Sequence, residues 1–323
     1  MSAGSLRVLI PGGTGYVGGR IAEHLASQGM DVCVCSRRAG PWAGPTRSIA
    51  VREADWRDPT QLDQLVDGRD AIIMLAAANE IDAAADPVAA ADATSTQCVA
   101  WLEAAARAGV SRFVYFSTIH VYGANDGSRL HESREPRPVH PYACTHLAAE
   151  VYVQAAHRQG KLNAVIFRLS NAYGAPVDPA VKRWTLLVND LARQAVLDGR
   201  LRLRSDGLQA RDFVGLRQVC AAVHWSLQDR PRGAEAAILN LGSGVSETVY
   251  DMAQRVSRRA RLLWPGEFPV LRPAPTPDAT APPFCLDISR LADAGFAVSS
   301  EPDVEIDELL RFCHDHALHL SPA

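Results

Sequence analysis

The chain has 323 residues, 47% of them hydrophobic and 21% charged, enough apolar material for a sizeable core and too little charge for a disordered chain. Lysine and arginine number 33 against 36 aspartates and glutamates, a formal charge of −3. That balance excludes the overall positive field of a nucleic-acid or anionic-membrane binder and points to a small-molecule partner.

Residues 6–11 are a short apolar run ending in glycines, followed by residues 16–27, where Val17, Ile21, Ala22 and Leu25 recur at helical spacing. This reads as strand, tight turn, helix. Residues 31–35 predict a second strand and residues 48–52 a third, separated by a turn-rich stretch with Pro41, Gly44 and Pro45. Asp58 and Pro59 supply an N-cap and first-turn proline for a helix carrying Leu62, Leu65 and Val66. Residues 71–76 are continuously apolar, as expected of a parallel strand covered on both faces. A long alanine-rich helix is predicted over 87–108, a strand over 112–116, a helix over 142–157 and a strand over 164–169.

The alternation predicts an α/β fold, a doubly wound parallel (Rossmann) sheet. Residues 1–177 would be mainly this cofactor domain and residues 178–323 mainly a smaller substrate-binding region, with some segments returning to the main sheet. In the second part, residues 183–197, 219–227, 248–256 and 303–316 read as helices and 201–203 as extended. Residues 268–284 hold Pro269, Pro273, Pro275, Pro277, Pro282 and Pro283 and read as a loop.

Cys33, Cys35, Cys98, Cys144, Cys220, Cys285 and Cys313 are odd in number and scattered, without a C-x-x-C pair or a His/Cys ligand set. They read as small buried residues in a reducing compartment, with no disulfide framework and no metal site. No basic stretch with an apolar run and cleavage site opens the chain, and no run of about 18 apolar residues occurs, so a cytoplasmic protein without a membrane span is expected.

The turn Gly12-Gly13-Thr14-Gly15-Tyr16-Val17-Gly18 sits between strand and helix. There glycines permit a tight bend and close backbone approach, and the helix amides face the diphosphate of a dinucleotide. At the end of the second strand an NAD-selective protein places a carboxylate for the ribose hydroxyls; this chain has Ser36, Arg37 and Arg38, a hydroxyl and two guanidinium groups suited to a 2′-phosphate. NADP is therefore expected over NAD. Asp55 and Trp56 follow the third strand near the expected adenine, and Leu75, Ala76 and Ala77 end the fourth strand with small side chains that leave room for the cofactor.

Thr118 follows one strand and Tyr142 opens a later helix. A tyrosine hydroxyl beside a carbonyl can donate a proton as hydride arrives, with a Ser or Thr hydroxyl holding the oxyanion. Free tyrosine needs a nearby positive charge to act as a base at neutral pH. One turn on, His146 is placed to touch a ribose hydroxyl or the tyrosine, but a neutral imidazole supplies no fixed charge.

Together with Ala54-Asp55-Trp56-Arg57-Asp58, Phe116-Ser117-Thr118-Ile119-His120-Val121-Tyr122-Gly123, Pro141-Tyr142-Ala143-Cys144-Thr145-His146, Arg168-Leu169-Ser170-Asn171-Ala172-Tyr173-Gly174, Arg211-Asp212-Phe213-Val214 and Asn240-Leu241-Gly242-Ser243-Gly244, that turn resembles the extended short-chain dehydrogenase/reductase family over residues 6–312. The similarity is to its nucleotide-sugar epimerase/dehydratase/reductase branch. The resemblance implies Thr118 and Tyr142 as catalytic residues, Asn171 near substrate, Arg211 on the diphosphate of a nucleotide-sugar and Arg272 as a second clamp. It also implies a homodimer formed through the helices 87–108 and 142–157.

Two departures shape the functional reading. The family has lysine where this chain has His146, which disfavours oxidation of a sugar hydroxyl. Ile119 and His120 replace the Asp-Glu pair of 4,6-dehydratases, which disfavours elimination of water. The sequence thus predicts an NADPH-dependent ketoreductase of a nucleotide-linked keto-sugar, such as a 4-keto-6-deoxysugar. The alternatives are a nucleotide-sugar epimerase with retained cofactor, a reductase of a non-nucleotide ketone, and a silent NADP-binding protein.

Overall fold

In a computed structural model, residues 5–38, 40–181, 183–228, 237–275 and 282–320 are described; Pro277 of the proline-rich stretch lies outside them. Seven strands form one parallel sheet: β1 (Arg7–Pro11), β2 (Asp31–Ser36), β3 (Ala50–Glu53), β4 (Ala71–Met74), β5 (Arg112–Thr118), β6 (Asn163–Leu169) and β7 (Ala237–Leu241). Their order is β7-β6-β5-β4-β1-β2-β3. The chain runs outward from β1 to β3, then crosses back to place β4 on the other side of β1. This reversal opens a crevice at the carboxyl ends of β1 and β4, the place where doubly wound sheets hold ligands.

Successive residues of a strand point to opposite faces, and both faces are covered. Val8 and Ile10 of β1 pack beneath the helices Tyr16–Ser27 and Leu216–Gln228. Leu9 between them packs under Pro59–Val66, Gln97–Arg107 and Pro141–Arg158. All four residues of β4 are buried, which explains its unbroken apolar composition. β7 comes from the second half of the chain and pairs with β6 at the sheet edge.

The rest of the second half builds a three-stranded sheet from Asn171–Tyr173, Ala210–Gly215 and Ser246–Thr248. Helices Leu187–Asp198, Val249–Leu263 and Pro302–Asp315 close around Phe213, Met252 and Leu309. Contacts tie this region to the first helix: Tyr16 Oη donates to the Gly174 carbonyl (2.9 Å), and Arg20 donates to the Ala175 carbonyl (3.0 Å) and faces the buried Glu305 at 3.6 Å.

Three expectations are corrected. The helix over 87–108 is not regular: Pro87–Ala91 widens into a π turn at Asp92–Thr96 before Gln97–Arg107 resumes. In the wide turn Thr94 Oγ1 accepts the Ala78 amide (3.1 Å) and Ser95 Oγ donates to the Thr145 carbonyl (2.8 Å). Docking those hydroxyls on neighbouring segments accounts for a geometry that is otherwise rare. The helix expected from residue 183 begins at Leu187, freeing residues 183–186 to turn beside a cavity. Cys144 and Cys285 are exposed rather than buried; all seven cysteines are free thiols.

Candidate active site

A cleft of about 790 Å³ opens along the carboxyl ends of β1, β2, β3 and β4. Its floor is backbone. Gly12 has φ +82°, and a Cβ there would stand 2.7 Å from the Ala76 amide nitrogen, so only glycine lets the two strand ends approach. Gly12, Thr14 and Gly15 line the cleft, while Gly13 and Gly18 support it from behind: a Cβ on Gly18 would meet the Gly12 carbonyl at 2.5 Å, one on Gly13 the Val34 side chain at 2.5 Å. No side chain caps the following helix at Gly15, leaving its first amides for an anion. A glycine cradle with uncapped amides fits the diphosphate of a dinucleotide.

Ser36, Arg37, Trp56, Leu75, Ala76 and Ala77 also line the cleft. Arg38 is exposed beside it and is not among its walls. Asp55 turns away, its carboxylate accepting the Arg57 amide (3.0 Å). Arg57 was missed in the sequence: its guanidinium lies 4.1 Å from the Trp56 ring centroid and pairs with Asp92 of the π turn at 3.3 Å. Tyr16 and Val17 face the neighbouring cavity instead.

That second cavity, about 380 Å³, brings together Thr118, Tyr142, Asn171 and Arg211 from four separate segments. Glu80, Ser117, His120 and Arg183 join them; Ser117 and His120 flank Thr118 in sequence, whereas Glu80 and Arg183 lie far from it and from each other. Tyr142 is set by the helix start: His140 is the N-cap, its Nδ1 accepting the Tyr142 amide (3.2 Å), and Pro141 occupies the first turn. The same helix is anchored to β6 by a buried bidentate pair, Glu150 with Arg168, at 3.0 and 2.7 Å. Such a pair fixes orientation more surely than it adds stability.

The Tyr142 and Thr118 side chains line the same cavity, and Thr118 Oγ1 accepts the His120 amide at 3.2 Å. Burial raises the Tyr142 pKa above the ordinary phenol value, Glu80 adds to the rise, and Arg183 and Thr118 oppose it. His146 is 4% exposed, its ring centroid 4.6 Å from that of Tyr142. Burial pushes its pKa down to about 4, so it is a neutral imidazole at pH 7. Its Nδ1 lies 2.9 Å from Tyr115 Oη, and its buried Nε2 meets no hydrogen-bond partner among the described residues. His146 lines neither the cleft nor the adjoining cavity; it packs behind Tyr142. His120 is likewise lowered, chiefly by burial.

On the far wall, Asn171 Nδ2 and Ser170 Oγ both donate to the Asp212 carbonyl at 2.8 Å. The buried Asp212 carboxylate accepts the Ser243 and Gly244 amides at 2.9 and 2.7 Å. Arg211 is thereby held on a fixed strand, and its own guanidinium makes no hydrogen bond or ion pair among the described residues; partial burial lowers its pKa. Arg272 does not line this cavity. Its guanidinium lies 3.6 Å from the Tyr250 ring centroid and donates to the Asp206 carbonyl (2.7 Å).

A dinucleotide cradle at the switch point, with a tyrosine–threonine pair in the adjoining cavity, defines an NAD(P)-dependent oxidoreductase of the short-chain dehydrogenase/reductase type. More narrowly, the chain belongs to the NAD-dependent epimerase/dehydratase family, whose profile matches residues 8–242. It is 30% identical over 281 residues to a dTDP-6-deoxy-L-talose 4-dehydrogenase (NAD(P)(+)) of Kitasatospora kifunensis, covering 85% of this chain and 84% of the relative. With a UDP-glucose 4-epimerase of Rhizobium leguminosarum bv. trifolii it shares 26% over 275 residues, 81% and 84% of the two chains. The crystal structure of a Thermus thermophilus UDP-glucose 4-epimerase complexed with NAD superposes with a TM-score of 0.79 at 25% identity, over 95% of this chain and 99% of that one. No helix among the described residues is long and apolar enough to cross a membrane.

Proposed function

We propose that the protein reduces the ketone of a nucleotide-linked keto-sugar, with NADPH as reductant. The observation that carries the direction is the pairing of Tyr142, held as a neutral phenol, with His146, a neutral imidazole where the resembled family has a cation. A phenol that keeps its proton is a donor for reduction; oxidising an alcohol needs the phenolate. A bound nicotinamide supplies the reducing equivalent. Tyr142 protonates the ketone oxygen, Thr118 steadies its developing charge, His146 packs against Tyr142 near the cofactor ribose, and Arg211 takes the substrate diphosphate. Ser36 and Arg37 on the cleft wall support NADP through a 2′-phosphate contact.

Supplied with NADPH and a 4-keto-6-deoxysugar linked to UDP, dTDP or GDP, the protein is expected to consume NADPH, read as falling nicotinamide absorbance. No turnover on any of the three, with cofactor bound, overturns the reading.

A second reading, 4-epimerisation of a nucleotide sugar, is favoured by the epimerase relatives, which weigh toward it more than toward net reduction. It predicts cofactor retained through purification and sugar interconversion without net NADPH loss. We also propose a homodimer through the helix pair that includes Pro141–Arg158, whose Val151 and Tyr152 are exposed; light scattering on the purified protein tests it.

A further inference from the structure

Glu80 and Arg183 belong to the two halves of the molecule. Glu80 opens the helix Glu80–Ala85 after β4, and Arg183 stands in the turn before Leu187–Asp198. Arg183 Nη1 lies 3.3 Å from Glu80 Oε2, and both side chains line the cavity that holds Tyr142. Their side chains are 29% and 42% exposed, so the bridge spans the solvent-facing rim of the cavity. A pair that exposed contributes little to stability and exchanges readily for a better anion.

The charged side chains that line the cavity, among the described residues, are Glu80, Arg183 and Arg211. Arg211 is unpaired, but one guanidinium matches only half of a dianion. Arg272 is already occupied by Tyr250 and the Asp206 carbonyl outside the cavity. Among the described residues, Arg183 is the other cation lining the cavity, and its planar donor fork accepts carboxylate and phosphate in the same geometry.

We infer that Arg183 is the second diphosphate-binding arginine of this site, and that Glu80 holds it at the rim until the diphosphate of a nucleotide sugar takes the carboxylate's place. This depends on the nucleotide-sugar reading above. Before substrate enters, the bridge keeps the turn at 183–186 docked on the cofactor half. After the exchange the same guanidinium ties that turn to the substrate, and Glu80 becomes a like-charge neighbour whose presence costs affinity.

The test is calorimetric titration of UDP, dTDP and GDP into NADPH-loaded protein. For whichever nucleotide binds most tightly, Arg183→Gln is expected to weaken binding about tenfold or more and Arg183→Lys to recover most of the loss. Glu80→Gln is expected to tighten binding severalfold, yet to have no effect in the Arg183→Gln background. NADPH affinity, measured on the same variants, is expected to stay unchanged and reports that they fold. Arg183→Gln within about twofold of wild type, or a Glu80→Gln variant that binds nucleotide more weakly, overturns the inference. If Arg211→Gln loses nucleotide while Arg183→Gln keeps it, the nucleotide-sugar reading stands and this inference alone falls. Wild-type protein that binds none of the three nucleotides overturns both.

Discussion

The cofactor cleft and the substrate cavity share one glycine turn but are built on opposite plans. The cleft is made mostly of backbone and small side chains at the ends of adjacent strands: Gly12 against Ala76, the uncapped helix after Gly15, Ser36 and Arg37 one strand over. The polar groups of the cavity are side chains from remote segments, Glu80, Thr118, Tyr142, Arg183 and Arg211. A backbone cradle recognises what all dinucleotides have in common, the diphosphate. Side chains converging from afar recognise what differs between substrates, and they are free to change the chemistry.

The sharpest way to break this contrast is at the phenol. Tyr142→Phe removes the proton donor and leaves the glycine cradle intact, so turnover is expected to fall on the order of a thousandfold with NADPH affinity unchanged. Equal losses in turnover and cofactor binding, by steady-state kinetics and fluorescence titration, would show that cleft and cavity do not work as separable units.

His146 sharpens the comparison through pH. Burial holds the Tyr142 phenol above its ordinary pKa and His146 at about 4. Reduction, which uses the protonated phenol, is expected to be flat from pH 6 to 9; oxidation, which uses the phenolate, should climb about tenfold per pH unit over the same range. His146→Lys places a cation beside the phenol and lowers its pKa, so the oxidation profile should move at least about one unit toward acid, raising the neutral-pH rate about tenfold. An unmoved profile would mean that the residue one turn after Tyr142 does not govern its proton.

Legibility followed the same division. The sheet was readable because β4 and its neighbours are apolar runs between capped helices, and Asp58 does accept the Thr60 and Gln61 amides as an N-cap should. The glycine turn was readable because its residues are contiguous. The π turn at Asp92–Thr96 was not, since it depends on Thr94 and Ser95 finding partners at Ala78 and Thr145, and nothing in an alanine-rich helical run announces that. Glu80 and Arg183 are 103 residues apart and join only because the turn at 183–186 delays the helix. Trp56 and Arg57 adjoin in sequence, but their stacking becomes visible only once Asp92 is folded beside them.

Within the cleft, side chains should matter only where the cofactors differ. Arg37 is exposed on the wall at the end of β2, and a charge-assisted contact to a 2′-phosphate contributes about 1.5–3 kcal/mol. Arg37→Gln is therefore expected to raise the KM for NADPH about tenfold and leave that for NADH alone. A variant that loses both equally would assign Arg37 to the diphosphate or to folding instead.

The smallest effect is expected at Arg272, the arginine that the family resemblance offers as a second clamp. Its guanidinium lies 3.6 Å from the Tyr250 ring centroid and donates to the Asp206 carbonyl, contacts that tie its segment to the helix Val249–Leu263 and to the loop at Asp206 without reaching the cavity. A half-buried cation–π contact is worth roughly 1 kcal/mol, so Arg272→Gln should lower the melting temperature by a few degrees at most. Substrate KM should stay within about twofold of wild type, against the large rise expected for Arg211→Gln. A KM that rises as much for Arg272 as for Arg211 would mean that the loop carrying it swings over the cavity when substrate binds, and the division between fixed strand and outlying loop would have to be redrawn.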